Sequence, residues 1–169
     1  SDVRVRQAVA YAIDRQAIVD GAMFGFGTPI GSHMAPHNPA YVDLTGAFAY
    51  NPAKAKALLK EAGHGNGVTV SLKLPPPAYA RRGGEIIAAQ LAKVGITAKI
   101  EPVEWAQWLD QVYKKRNYDL SIVMHVEPND IGKYADPKYY FQYDSKEFQD
   151  IIKIADTTLD PAERKSELQ

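Results

Sequence analysis

From Asp2 to Ile13 the apolar residues Val5, Ala8, Val9, Ala12 and Ile13 recur at the spacing of one helical face, and Asp2 stands where a carboxylate caps the first free N–H groups. This predicts a first helix. A second, short helix is expected over Asp14–Ala22, turning Ala17 and Ile18 inward. Gly21, Gly25, Gly27, Pro29, Gly31, Pro36 and Pro39 then interrupt every regular pattern, which predicts a long loop as far as residue 46, and ordered loops of that length are commonly functional. Regular structure resumes at Asn51-Pro52, where a capping side chain precedes a proline at the first helical position. Ala55, Leu58, Leu59 and Ala62 line one face from there to Gly63.

Val68, Val70, Leu72 and Leu74 alternate with Thr69, Ser71 and Lys73, the period of a strand with one buried face, and Pro75-Pro76-Pro77 ends it. Ile86, Ile87, Gln90, Leu91 and Val94 then give helical spacing up to Gly95, and residues 96–103 alternate as a second strand. Trp105, Trp108, Leu109, Val112 and Tyr113 mark the next helix, and Leu120, Ile122 and Met124 a third strand. Strand, helix, strand, helix, strand with short connections implies two crossover units and a parallel sheet, so the fold class is α/β. Tail helices are expected at Lys146–Thr157, with Phe148, Ile151, Ile152 and Ala155 inward, and from the capped Asp160-Pro161 onward.

The 169 residues suffice for a single domain over 1–169 that folds alone as a monomer. Twenty Lys and Arg balance twenty Asp and Glu, leaving no excess charge to grip a nucleic acid or an anionic membrane. With no cysteine, the chain has no disulfide, thiolate metal site or cysteine nucleophile. No run of about 18 apolar residues occurs, and Ser1-Asp2-Val3-Arg4 is not the start of a signal peptide. The chain opens in a helical pattern and stops in one at Leu168-Gln169, so it is expected to be an excised piece of a longer protein.

Open parallel α/β sheets bind ligands beyond the carboxyl ends of their strands, here Pro75–Arg82, Val103-Glu104 and His125–Tyr134. The third is the most polar, and His125, Glu127, Asn129, Asp130 and Tyr134 are the candidate ligand-binding residues, able to clasp a polar solute. The alternative is a solvated loop whose acids cap a helix. Two carboxylates three residues apart, with Lys133 the nearby cation in sequence, suit a solute carrying a cationic amine. Either Glu127 or Asp130 is the principal contact.

His125 and Glu127, two apart, would point the same way on a continued strand and with His33 or His37 would make a metal site; without an HExxH pattern the expectation is no metal and no cofactor. No Gly-x-Ser-x-Gly elbow supports a serine hydrolase, and Gly25-Phe26-Gly27 lacks the third glycine of a dinucleotide fingerprint. Arg81-Arg82 reads as an exposed basic pair rather than an anion clamp. Trp105 and Trp108 read as core, whereas Tyr139, Tyr140, Phe141 and Tyr143 serve a ligand or an interface equally well.

Val5-Arg6-Gln7-Ala8-Val9-Ala10-Tyr11-Ala12-Ile13-Asp14-Arg15, Gly25-x-Gly27-x-Pro29 and Tyr50-Asn51-Pro52-x-Lys54-Ala55-x-x-Leu58-Leu59-x-x-Ala62-Gly63 resemble the family-5 solute-binding proteins of ABC importers. Gln90-Leu91-x-Lys93-Val94-Gly95-Ile96 and Tyr118-Asp119-Leu120 continue the pattern in order. The resemblance implies one lobe of a type II periplasmic-binding-protein-like fold, with a mixed sheet and βαβ crossovers. It makes this chain the C-terminal-side lobe of a bilobed receptor that closes on a peptide or other small solute and delivers it to a membrane permease. A non-enzymatic, periplasmic or extracellular protein follows, whose full-length precursor carries a signal peptide or anchor. Met124-His125-Val126-Glu127 stands where the family usually has Gly-Trp, and Asp136-Pro137 lies farther along than usual, so peptide specificity does not follow from the resemblance. The alternative is the ligand-sensing domain of a transcriptional regulator; a metal-dependent hydrolase using His125 and Glu127 is a third reading.

Overall fold

The computed structural model describes residues 2–127 and 130–169. The chain forms two compact units, Ser1–Pro29 with Gly46–Val123, and Ile30–Thr45 with Met124–Gln169.

The first unit contains helices α1 (Val3–Ala12), α2 (Arg15–Met23), α3 (Pro52–Glu61) and α4 (Ala78–Ala92) and strands β1 (Val68–Leu74), β2 (Ile96–Pro102) and β3 (Leu120–Ser121). The caps expected from sequence form: Asp2 Oδ1 accepts from the Arg4 N–H at 2.8 Å, Asp14 Oδ1 from Ala17 at 3.1 Å and Asn51 Oδ1 from Lys54 at 2.9 Å. The sheet is parallel throughout its described strands, in the order β2-β1-β3. The first crossover therefore steps to β2 and the second passes back over β1 to β3, the arrangement of a doubly wound sheet.

Ala8, Ala12, Ala55, Leu59, Leu91, Val94 and Ile96 form the core beside β1. Alanines at the meeting faces of α1 and α3 let the two helices approach closely, while the leucines fill the space toward the sheet. Gln90 lies among these apolar groups at 7% exposure, and its amide accepts from the Asp14 N–H at 3.0 Å and donates to the Asp14 carbonyl at 3.4 Å. It thereby satisfies the backbone where α1 gives way to α2. Replacing Gln90 with leucine leaves both backbone groups unpaired, and urea unfolding is expected to show a loss of about 1–3 kcal/mol.

The alternation in β1 suggests that Lys73 faces water, yet its side chain is only 7% exposed. The second crossover covers that face. It begins as a short helix α5 (Trp105–Trp108) and continues as a π-helical turn (Leu109–Lys114). Gln111 accepts from Lys73 Nζ at 2.8 Å, and Trp108 Nε1 donates to Ser121 Oγ, which in turn donates to the Lys73 carbonyl. Of the five apolar residues that mark this helix in sequence, Trp108 and Val112 are buried, whereas Trp105, Leu109 and Tyr113 are more than 40% exposed.

The third strand is shorter than its pattern predicts. It pairs with β1 only at Leu72↔Leu120 and Lys73↔Ser121, because β1 ends at Leu74 and Pro75 has no N–H to continue the ladder. Met124, expected inside, is 53% exposed and begins the second unit.

In that second unit a 3-10 helix (Asp130–Ala135) precedes α6 (Lys146–Thr157) and α7 (Pro161–Leu168). Ser145 Oγ caps α6 and Asp160 Oδ1 caps α7. Ile152 and Ala155 are buried as the spacing predicts, with Phe148 and Ile151 partly so. Residues 30–45 pack as an irregular segment whose Gly31 abuts the backbone of Leu44 and Thr45, where a side chain would collide. Among the described residues no helix is long and apolar enough to cross a membrane.

Candidate functional site

The polar loop singled out in the sequence is not the immediate end of β3: Ser121 closes the strand, and His125–Tyr134 belong to the second unit. There three of the five candidate residues converge. Donor atoms of His125, Glu127 and Asp130 all lie within 4.8 Å of one another. His125 Nδ1 stands 3.0 Å from Asp130 Oδ2 and 3.8 Å from Glu127 Oε2. The two acids differ in setting, since the Asp130 side chain is 5% exposed and that of Glu127 is 65% exposed. Asn129 lies outside the described residues.

A fully buried carboxylate persists only with partners. Asp130 finds them from two directions: His33 Nε2 sits 2.5 Å from Oδ1, and His125 faces Oδ2. One carboxylate thus joins the 30–45 segment to the 124–135 loop. His125 is held in turn by Tyr140, whose hydroxyl lies 2.6 Å from Nε2 and whose ring stacks on the imidazole at 5.9 Å. Lys133, the nearby cation in sequence, has its Nζ 5.7 Å from the Tyr139 ring centre, and no described Lys or Arg makes an ion pair with Glu127 or Asp130.

Tyr134, the fifth candidate, belongs to an aromatic cluster beside these groups. Its ring lies 4.6 Å from Phe141 and meets His33 edge-on at 5.7 Å. It also borders an open pocket of about 630 Å³ together with Ile30, Ser32, His33, Tyr143 and Phe148. Ser32 Oγ is buried without a hydrogen-bond partner. Burial, and then the charge of Asp130, push the Tyr134 phenol above the ordinary tyrosine range. Because the folded state holds this proton more tightly, the associated stability is present below pH 10 and lost as pH rises through the folded value. Burial raises the Tyr118 phenol as well, so an alkaline titration followed by phenolate absorbance is expected to show late-ionising tyrosines, of which Tyr134→Phe removes one and leaves that of Tyr118.

Two partners in this cluster have roles that the sequence did not assign. The sequence suggests His33 only as a metal companion of His125 and Glu127; it lies 97 residues from Asp130, and nothing in the Gly- and Pro-rich segment around it marks it as a carboxylate partner. His37, the other histidine considered with it, is exposed and not part of the cluster. Tyr140 was legible only as one aromatic in a run of four. At the carboxyl ends of β1 and β2, Arg81 meets Glu104 and the Pro75 carbonyl, each at 3.4 Å, and Arg82 lies over the Phe24 ring.

The family model described as bacterial extracellular solute-binding proteins, family 5 Middle, matches residues 1–150. The chain belongs to this family. The dipeptide-binding protein of Escherichia coli K12 is 41% identical over 113 residues, which are 64% of this chain and 21% of that protein. Heme-binding protein A of Haemophilus influenzae is 38% identical over 120 residues, 68% of this chain and 21% of the relative. The chain thus spans about a fifth of the length of these curated family-5 relatives. Among solved structures, AgaA of A. tumefaciens R10 in complex with agropinic acid superposes with a TM-score of 0.85 at 28% identity, over 98% of this chain and 36% of AgaA. The dipeptide binding protein of Pseudoalteromonas sp. SM9913, in complex with Met-Leu, gives 0.88 at 24% identity with the same coverages, and that likeness speaks for the fold. These relatives are binding proteins and not enzymes, and the regulator alternative finds no support among them.

Proposed function

We propose that this chain is one lobe of the solute-binding component of an ABC importer, and that His125, Glu127, Asn129, Asp130 and Tyr134 are its contribution to the solute site. The observation that carries the site reading is the convergence of His125, Glu127 and Asp130 with no lysine or arginine among the described residues paired to either acid. Asp130 is committed to two imidazoles and Glu127 is exposed, so Glu127 is the acid free to meet a solute. An exposed carboxylate with no described lysine or arginine paired to it favours a cationic group. The open aromatic pocket beside Tyr134 takes the apolar part of the same molecule.

Capture requires no covalent step. Two lobes close on the solute, each adding contacts that exist only in the closed state, and the closed, monomeric receptor docks on its permease outside the cytoplasm. An isolated lobe makes only part of the contacts, so calorimetry is expected to show far weaker solute binding to this chain than to the full-length receptor. Equal affinity would contradict the two-lobe reading.

A further inference from the structure

The two oxygens of the buried Asp130 carboxylate are held unequally. His125 Nδ1 forms an ion pair with Oδ2 at 3.0 Å, but Oδ2 receives no aligned hydrogen bond. Oδ1 meets His33 Nε2 at 2.5 Å, and because a carboxylate only accepts, the imidazole donates. Among the described residues, the one hydrogen bond to this side chain therefore comes from His33. Burial makes such a bond costly to lose. His33 in turn is presented from a fixed backbone. Two residues before it, Gly31 packs so close to Leu44 and Thr45 that an added Cβ would stand 2.1 Å from their backbone atoms, and Met34 after it is buried.

We propose that His33 is a positioning residue of the solute site: through its hydrogen bond to Asp130 it sets the loop that presents Glu127 relative to the aromatic pocket. The same ring serves both sides of this relation. It stands edge-on to Tyr134 at 5.7 Å and lines the open pocket with Tyr143 and Phe148, while Nε2 holds the carboxylate that pairs with His125. His125 carries the connection to Glu127, 3.8 Å from its Nδ1, and is braced from behind by the Tyr140 hydroxyl. Glu127 is exposed and has no buried support of its own, so its place relative to the pocket depends on this chain of contacts.

A solute that bridges the acid and the pocket meets both only while their spacing is kept, and a spacing fixed beforehand lowers the ordering cost of binding. His33 then acts on affinity without a polar contact of its own to the solute. The inference rests on the reading of this loop as the solute site and deepens it by assigning a residue outside the loop. A role confined to supporting the fold would change melting temperature and leave affinity alone.

The test uses the full-length receptor and phenethylamine, which carries an ammonium and an aromatic ring on one short chain. In calorimetric titrations, His33→Ala and His33→Met, which keeps the bulk but not the donor, are expected to weaken binding by about three- to thirtyfold. His33→Gln, whose amide still donates, is expected to stay within about twofold of the original. In a receptor already carrying Glu127→Gln, His33→Ala should add less than about twofold, because it acts through the placement of Glu127. Hydrogen exchange of the solute-free receptor is expected to quicken at least about tenfold at residues 130–135 in His33→Ala and His33→Met and to stay unchanged at residues 68–74. If Glu127→Gln weakens binding and the His33 variants do not, the positioning role is overturned while the reading of the loop stands. Fully additive losses also overturn it, since His33 then contacts the solute directly. If phenethylamine does not bind, or binds regardless of Glu127→Gln, the reading of the loop fails and exchange alone decides: quickening confined to residues 130–135 supports His33 as the residue that sets the loop, and unchanged exchange overturns it.

Discussion

Leu91→Ala is expected to destabilise this chain by about 2–5 kcal/mol, the range for removing a fully buried leucine from a core that relaxes only partly. Leu91 is 0% exposed and sits in the cluster that joins α1, α3, α4 and the sheet. The loss is therefore felt by every element that frames the first unit. Against a total stability of about 5–15 kcal/mol, it is a large fraction. Leu159→Ala provides the contrast: its side chain is 97% exposed in the chain, and its removal is expected to change stability by no more than about 0.5 kcal/mol. Urea midpoints for the two variants decide the matter. Equal shifts would mean that the cluster around Leu91 is not the core.

Glu127→Gln in the full-length receptor is expected to lower affinity for the native solute by about 30-fold to several thousandfold, the effect of removing one partner from a desolvated charge pair. Its melting temperature without solute should scarcely change, because the Glu127 side chain is 65% exposed and holds no buried partner in place. Asp130→Asn should behave differently. Asp130 is 5% exposed and stands between His33 and His125, so its neutral isostere loosens the junction of two segments as well as the site. Calorimetric affinity and solute-free melting temperature, measured together, separate the roles. If Glu127→Gln binds within threefold of the original receptor, Glu127 is a solvated loop residue.

The regular elements were largely legible because each rests on local rules. The strict alternation of Val68 through Leu74 produced a strand with those bounds, and the cap at Ser145 with the apolar spacing from Phe148 produced α6 at Lys146–Thr157. Legibility failed where a partner element decides the outcome. Alternation marks Lys73 as polar and outward, and only the π-helical turn that folds over it, through Gln111, makes it buried. The run Leu120, Ile122, Met124 promises a longer strand, but its pairing stops where the neighbouring strand meets Pro75.

The site follows the same division. That the loop after the third strand is rich in donors was plain from its composition, and His125, Glu127 and Asp130 do meet there. What drew them together was not. The carboxylate that organises the loop depends on His33, distant in sequence and set in a segment with no periodic signal, and on Tyr140 acting through His125. Asp130 is buried between His33 and His125 whereas Glu127 is exposed, a difference that the composition of the loop does not reveal.

The most direct measurement is native mass spectrometry of the full-length receptor as purified, followed by release and identification of whatever it carries. One small solute per receptor, bearing a cationic group and lost selectively in Glu127→Gln, is the expected result. A receptor that carries no solute and captures none from pools of peptides, amines and metal chelates would contradict the account.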